Sequence, residues 1–167
     1  MPFIGIIGRE NDSNYIKNKI LKNSKKTNFE VININKRNLE NIKNVRFDVL
    51  IINQDIDKII LYSNYLKKVI DNTKFLIINS DITLNDIDYN NKNIITFGFN
   101  SNSVITISSI KEESVMICIQ KKILGILNEI EEQEISVKFS KYNVNKLYNT
   151  LAIFTVLEIF GEMLQKN

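Results

Sequence analysis

The sequence contains no histidine. Histidine is the commonest general base and the commonest zinc ligand, so its absence excludes Ser-His and Cys-His nucleophiles and every zinc site that uses an imidazole. The single cysteine, Cys118, excludes an intramolecular disulfide. Its apolar setting, SVMICIQ, predicts a small core side chain. These two scarcities remove most of the common hydrolytic and metal chemistries.

Proline and glycine are also scarce, with one proline and five glycines in 167 residues. A chain with so few breakers is mostly regular structure, and its length and 44% apolar content predict one domain, 1–167. No apolar run approaches the roughly 20 residues of a membrane helix, and no signal peptide is recognised, which predicts a cytoplasmic protein. The 25 asparagines, with many lysines and isoleucines, indicate a bacterial genome of low GC content.

Charge is nearly balanced, since the formal net charge is only +3. Residues 9–46 carry ten Lys or Arg against four Asp or Glu, yet they lack interleaved aromatic residues, so we expect no nucleic-acid partner. Solvated faces explain this segment best, and a patch for an acidic partner is the alternative. The glutamates of 129–134 likewise indicate a surface before they indicate a metal site.

Short apolar runs alternate with amphipathic segments over the first hundred residues. The runs are FIGIIG (3–8), FEVINI (29–34), FDVLIIN (47–53), KFLIIN (74–79) and NIITFGF (93–99). Runs that are apolar throughout are typical of parallel strands covered on both faces. Two helices are predicted between them, at 13–26 and 55–72. The first has Asp12 or Ser13 as its N-cap and places Ile16, Ile20 and Leu21 on its apolar side. The pattern predicts an α/β fold, a Rossmann-like three-layer sandwich with a mostly parallel sheet.

The pattern changes after residue 100. SVITISSI, SVMICIQKKI and EISVKF (134–139) predict hairpin-linked antiparallel strands. The segment 144–164 predicts a final helix that is apolar around most of its circumference. Its outer side would be exposed unless a partner covers it, which predicts a homodimer or a hetero-complex through this helix.

The turn in FIGIIGRENDS, residues 3–13, resembles a phosphate-binding loop in part. Gly5, Gly8 and Ser13 fall where such a loop has its first two glycines and its magnesium-binding hydroxyl. Asn11 replaces the last glycine, and Asp12 replaces the lysine, which puts negative charge against the phosphates. A tight turn followed by a capped helix explains the same residues.

In the order of its segments the whole chain resembles the ATP-binding central domain of the Mur ligases, the amide-bond ligases of peptidoglycan synthesis. GIIGRENDS lies over a family loop like G-I-T-G-T-N-G-K-T, and IITFG over V-I-T-F-G with Gly98. IINSDI matches a strand like V-I-N-A-D-D, and NKLYNTLAI a helix like H-N-x-Y-N-A-L-A-A with Tyr148 and with Asn145 for the histidine. The resemblance implies a degenerate nucleotide site at Gly5, Gly8, Asn11, Asp12, Ser13, Asn79, Asp81 and Asn149.

Departures from the family pattern argue against ligase catalysis. Asp12 stands at the lysine position, and Asn53 at the position of a magnesium-binding glutamate. Only about 20 residues separate the third and fourth strands, so the family's carbamylated-lysine segment is missing. Acyl-phosphate formation needs magnesium and neutralised phosphoryl charge. We therefore expect a non-catalytic Mur-ligase-like domain, a pseudoenzyme that acts through protein–protein binding, in cell-wall or related amide-ligase pathways, with no cofactor unless the loop still binds ATP and magnesium.

Two alternatives remain open. One is a nucleotide or nucleotide-sugar binding protein that does not hydrolyse its ligand, or else a protein with residual ATP-dependent ligase activity. The other is an enzyme of another class that uses Asp81, Asp86 and Asp88 after the fourth strand, where α/β folds place their sites. Three acidic residues in an Asn-rich loop are more often a solvated turn.

Overall fold

The computed structural model describes residues 1–53, 60, 63–82, 92–139 and 143–164. These residues form ten strands and three helices in an α/β order. The elements are β1 (Phe3–Ile7), α1 (Glu10–Asn23), β2 (Glu30–Ile34), β3 (Phe47–Ile52), α2 (Asn64–Asp71), β4 (Thr73–Asn79), β5 (Asn93–Phe97), β6 (Ile105–Lys111), β7 (Ser114–Ile119), β8 (Ile123–Leu124), β9 (Glu129–Ile130), β10 (Gln133–Lys138) and α3 (Val144–Ile159). The predicted helix 55–72 is described from Asn64 onward, and its proposed aspartate start lies outside the described residues.

Eight strands form one sheet in the order β10-β7-β6-β5-β4-β3-β1-β2. Strands β1 to β5 are all parallel, and β6 joins them through one parallel pair, Phe97 with Ile105. Strands β7 and β10 then add antiparallel neighbours. The predicted mostly parallel sheet with a C-terminal antiparallel extension is confirmed. The two-residue strands β8 and β9 were not predicted, because they are too short to show a period.

Helices cover both faces of the parallel strands. Ile4 and Ile6 of β1 pack in one core cluster with side chains of α1 and α3. Ile7 and the α2 side chain Val69 belong to a second cluster on the opposite face, together with Leu39 from the β2–β3 connection. The strand runs are apolar throughout because both sides of each strand are buried. The chain is a Rossmann-like three-layer sandwich, as predicted.

Helix α1 begins three residues earlier than predicted. Its N-cap is Arg9, whose side chain makes no capping hydrogen bond, so the prediction of Asp12 or Ser13 as N-cap is wrong. Carboxylates favour the first turn of a helix through its dipole, which suits an early start at Glu10. The prediction for Leu21 is also wrong, since this side chain is 41% exposed. Successive residues of an α-helix are rotated by about 100° around its axis, so Leu21 does not share the buried face on which Ile20 lies.

Helix α3 is covered by its own chain. The six apolar residues expected to extend beyond one face are all buried, namely Ile153, Phe154, Val156, Leu157, Ile159 and Phe160. Helix α1, the sheet and the β8–β9 segment surround it, and the Ile126 N–H donates to the Ile159 carbonyl oxygen over 2.9 Å. The expectation of an exposed outer side is therefore wrong. The prediction of an oligomer through 144–164 loses the observation on which it depended.

The last helix also ends earlier than its apolar pattern. Gly161 adopts a left-handed backbone with φ of 65°, and its N–H donates to the Glu158 carbonyl oxygen. The Glu162 N–H donates to the Leu157 carbonyl oxygen over 2.9 Å. This pair of bonds is a Schellman motif, in which glycine at the left-handed position stops the helix. The turn directs the Glu162 side chain back toward the end of α1.

Cys118 on β7 is half-buried, so the prediction of a core side chain is wrong. Its neighbours Ile117 and Ile119 take the buried side of β7, and side chains alternate along a strand. Partial burial, with the carboxylates of Glu134 and Glu132 nearby, raises the pKa of the Cys118 thiol. Among the described residues, no helix combines the length and the apolar character that a membrane crossing requires.

Candidate functional site

Polar side chains meet where the parallel strands end. Asn53 follows β3 and Asn79 ends β4, one position beyond the partners Ile52 and Ile78. Both asparagines are fully buried. Ile51, two residues before Asn53, packs in the cluster that contains α3, so both asparagines face α3. The carboxyl edge of a parallel sheet is where α/β folds place ligand sites.

Asn149 on α3 links this edge to the start of α1. Its Nδ2 donates to Oδ1 of Asp12 over 2.7 Å. Its Oδ1 accepts from Nδ2 of Asn53 over 2.8 Å. Asn149 is 1% exposed, so both bonds lie in a water-poor environment. We call Asp12, Asn53 and Asn149 the amide network.

The amide network and the neighbouring Asn79 leave polar atoms unsatisfied. Asp12 Oδ2, Asn53 Oδ1 and Asn79 Nδ2 are buried and have no hydrogen-bond partner among the described residues. An unpaired buried polar group costs about 1–3 kcal/mol. Two acceptors and one donor suit an ordered water or a small polar group.

A second cluster forms around Asp81, beside the network. Its Oδ2 accepts from the Phe99 N–H over 2.6 Å and from the Tyr148 hydroxyl over 3.0 Å, and its Oδ1 accepts from the Asn100 N–H over 3.1 Å. Burial, then the hydrogen bond to Asp81 and its charge, raise the pKa of Tyr148 to about 12. A Cβ on Gly98 would lie 2.7 Å from Asp81 Oδ2, so glycine permits this close approach. The Asp81 carboxylate accepts three hydrogen bonds, so it links the loop after β5 to α3 and is not free to act as a base.

The turn after β1 opens on its other side to a cavity of about 420 Å³ between the carboxyl ends of β1 and β2. We call it the β1–β2 cavity. Its lining includes Gly8, Arg9, Glu10 and Ser13 from the turn and α1, and Asn33, Asn35, Lys36 and Arg37 from the end of β2 onward. Asp12 does not line it, because its carboxylate is bound to Asn149 on the α3 side. The first turn of α1 therefore separates the amide network from the cavity.

The structure brings together four of the eight site residues predicted from sequence. Asp12, Asn79, Asp81 and Asn149 meet at the carboxyl edge. The other four residues lie elsewhere. Gly8 and Ser13 line the cavity, Asn11 is exposed, and Gly5 lies in the middle of β1, where a Cβ would come 2.7 Å from Cδ1 of Ile34. Gly5 therefore serves strand packing. Asp86 and Asp88 lie outside the described residues.

Sequence reasoning missed the side of the cavity that β2 supplies. Asn33 lies in β2, and Lys36 and Arg37 follow it closely. The signal was present, because the polar and basic run NKR comes directly after an apolar strand and so falls on the carboxyl edge. It was interpreted as a solvated connection.

No group of three or more His, Cys, Asp or Glu side chains that could hold a metal ion occurs in the part of the chain that the structure describes. Two of the glutamates in 129–134 instead pair with a lysine at the surface, where Lys122 Nζ lies 2.5 Å from Glu129 Oε2 and 3.1 Å from Glu131 Oε1.

No protein-family model matches the sequence, and no match is found among curated proteins.

Proposed function

We propose that this chain is a non-catalytic domain on a Mur-ligase-like scaffold and that it acts by binding. The amide network carries this proposal. Asp12 and Asn53 stand at the two positions where the family pattern has its phosphate-binding lysine and its metal-binding glutamate. Here both side chains are bound to Asn149 instead, over 2.7 and 2.8 Å.

The network opposes phosphoryl transfer in two ways. A carboxylate at the lysine position repels the charge that builds on a transferred phosphoryl group. The amide of Asn53 is neutral, so it offers a cation far weaker attraction than a glutamate would. Both replacements are also hydrogen-bonded to each other through Asn149, so they support a folded site without a nucleotide.

The proposal is tested by measuring magnesium-dependent phosphate release from ATP by the purified chain. We expect no turnover above background. The control is Ser13→Ala, because Ser13 is the hydroxyl that the family pattern assigns to magnesium. Turnover that disappears in Ser13→Ala would refute the proposal, whereas turnover that persists unchanged in this variant identifies a contaminating enzyme.

A protein partner is one candidate for what the chain binds. Three large apolar side chains in the β8–β9 segment and just after α3 are strongly exposed, with Leu124 64%, Leu127 70% and Met163 78% exposed. Leu127 lies beside the turn that ends α3, since a Cβ on Gly161 would lie 3.6 Å from Cδ1 of Leu127. Light scattering on the wild type and on Leu127→Asp tests this candidate. A mass above the monomer that the variant lowers supports it, and a monomer at high concentration argues against self-association.

A nucleotide or nucleotide sugar, bound without hydrolysis, is the other candidate. The β1–β2 cavity of about 420 Å³ favours it, because small-molecule sites in proteins enclose roughly 300–1,000 Å³. The cavity also lies at the carboxyl edge of the parallel strands, and the repelling carboxylate of Asp12 faces away from it. A cavity of this kind suits a ligand that is held but not attacked.

A further inference from the structure

We propose that the outer edge of β10 is an interface, at which a second copy of this chain adds its own β10 in the antiparallel direction. The two sheets then continue into each other around a two-fold axis at Ser136. The inference deepens the proposed function and rests on it in one respect, that the domain acts by binding a protein. A free backbone edge, a self-complementary charge pattern and an apolar core side support it.

The backbone of β10 has a free side. The strand lies at the end of the sheet and pairs only with β7 among the described residues. The Phe139 N–H donates to the Glu113 carbonyl oxygen over 2.8 Å and continues the register with β7 by one pair. Hydrogen-bonded and non-hydrogen-bonded pairs alternate along an antiparallel ladder, so the odd-numbered residues bond to β7. The backbone N–H and C=O groups of Glu134, Ser136 and Lys138 therefore point outward, and they have no partner in the described part of the chain.

This edge lacks the features that usually block an exposed strand. Such features include a proline, a bulge or a charge that points to the core side. The register with β7 runs from Gln133 to Lys138 without a shift, the strand has no proline, and its charged side chains are on the exposed face. At the opposite edge, Asn38 Nδ2 donates to the Asn33 carbonyl oxygen of β2 over 2.8 Å. The β2 edge is thus partly occupied by its own chain, whereas the β10 edge is open to another strand.

The charges of β10 favour a second copy of the same strand. A lone lysine on an edge discourages pairing, unless the incoming strand places a carboxylate opposite it. In an antiparallel pair centred on Ser136, Glu134 of each copy lies opposite Lys138 of the other copy. Directly opposite residues have Cβ atoms about 4.5–5.5 Å apart, so two ion pairs form on the exposed face. The same centre gives three hydrogen-bonded residue pairs, with about two backbone bonds each.

The core side of β10 favours the same register. Val137 belongs to the larger core cluster and Ile135 packs against it. In the pair centred on Ser136, Ile135 of each copy lies opposite Val137 of the other, so apolar side chains meet across the axis. Moving the centre to Ile135 also aligns the outward backbone groups, but it places Gln133 opposite Val137. It also leaves Glu134 opposite the uncharged Ser136. Charge and apolar pattern therefore agree on one register.

An exchange of charges tests the interface directly. One strand pair buries little surface, so we expect a weak dimer with a dissociation constant of about 10–100 µM. Sedimentation equilibrium measures it for the wild type, Glu134→Lys, Lys138→Glu and the double variant. Each single variant places like charges opposite each other twice and should weaken the dimer about tenfold or more. The double variant restores opposite charges and should return to within about threefold of the wild type.

The matched control is Glu30→Lys on the opposite edge strand, an equal charge change at an exposed residue. It should change the dissociation constant by less than about twofold. Glu134 and Lys138 form no ion pair with a described residue, so both single variants should fold as the wild type does. A wild type that is monomeric at about 1 mM, or a double variant as weak as the single ones, would overturn the inference.

A cross-link tests the position of the axis. Opposite residues of a hydrogen-bonded pair have Cα atoms about 5.5 Å apart, which a disulfide can span. In a Cys118→Ser background, Ser136→Cys should give a cross-linked dimer on mild oxidation. Ser109→Cys, at an exposed position of β6, should give none. Equal cross-linking in both variants, or none in either, would contradict an axis at Ser136.

Other outcomes separate this inference from the proposed function. A dimer that Leu127→Asp weakens and the β10 variants leave unchanged would place the interface beside the end of α3 and overturn the inference. A monomer without ATP turnover would also overturn it, yet a non-catalytic domain that binds a different protein would stand. Magnesium-dependent turnover that Ser13→Ala abolishes would refute the proposed function, whatever the oligomeric state.

Discussion

The two ends of α1 differ in how fully their polar groups are satisfied. At the C-terminal end, the carboxylate of Glu162 accepts from the N–H groups of Lys25, Lys26 and Thr27 over 3.1, 2.9 and 2.7 Å. Glu162 is only 3% exposed, so one buried charge is paired with three donors. At the N-terminal end, Arg9 makes no side-chain cap, and the first N–H groups of the helix have no partner among the described residues.

This difference separates a structural device from a binding surface. A buried charge persists only when hydrogen bonds replace its lost hydration, so the Glu162 turn is complete as it stands. Unpaired donors beside a cavity are stable only when water or a ligand reaches them. Helix α1 is therefore held in the fold by Glu162 at its C-terminal end, and its N-terminal end faces the β1–β2 cavity.

The largest expected effect comes from removing the Glu162 carboxylate. Glu162→Ala leaves three backbone N–H groups without their acceptor, and we expect a loss of about 3–5 kcal/mol in the free energy of unfolding. The measurement is urea denaturation with the slope held as a check on two-state behaviour. Glu10→Gln, an exposed carboxylate at the other end, is the control and should change stability by less than about 0.5 kcal/mol. Similar losses in both variants would remove the contrast between the ends.

Breaking the amide network should have the next largest effect. Asn149→Leu removes the donor to Asp12 and the acceptor for fully buried Asn53, and we expect a loss of about 2–3 kcal/mol. The same denaturation experiment measures it. A variant as stable as the wild type would show that the network is hydrated rather than closed, and the argument for a non-catalytic site would weaken.

The charge of Glu162 predicts a pH dependence. Burial raises the pKa of Glu162, but the hydrogen bonds from Lys25, Lys26 and Thr27 outweigh it and hold the pKa below its usual value. The stabilisation is therefore complete above the unfolded-state pKa, which is about 4.3 for glutamate, and disappears as the pH falls through the lower folded-state pKa. The stability difference between the wild type and Glu162→Gln should be constant from pH 7 to about pH 5 and shrink below it. A difference that grows on acidification would contradict the assignment.

The smallest expected effect lies at the cavity. Ser13→Ala removes a hydroxyl that lines the cavity and leaves the packed core unchanged, so stability should change by less than about 0.5 kcal/mol. Binding of a nucleotide probe such as AMP in the β1–β2 cavity should weaken in the same variant. A large loss of stability without a change in binding would mean that Ser13 has a structural role.

Much of the fold follows from local pattern. The parallel strands were predicted within two residues at each end, because runs such as KFLIIN are apolar on both sides and hydrophobic periodicity is a local property. Helix ends were predicted less well. The start of α1 at Glu10 has no side-chain cap that the sequence could show, and the end of α3 at Ile159 depends on the left-handed turn at Gly161.

The candidate site was predictable only in part. Strand ends placed Asn53, Asn79 and Asp81 at one edge, because parallel strands share their carboxyl side. No local signal joins Asp12 to Asn149, which are 137 positions apart, or shows that Asp12 turns away from the cavity. Their pairing depends on how α3 crosses the sheet beside α1.

The sequence by itself determined the layers of this protein, since the spacing of apolar residues decides which segments form strands and which faces are buried. Tertiary structure alone decided which polar groups are satisfied. The carboxylate of Glu162 has three donors, whereas Asn53 Oδ1 has none among the described residues, because both results depend on contacts between segments far apart in the chain. Hydrogen bonds are short-ranged and directional, so their completion is known only once the packed geometry is known.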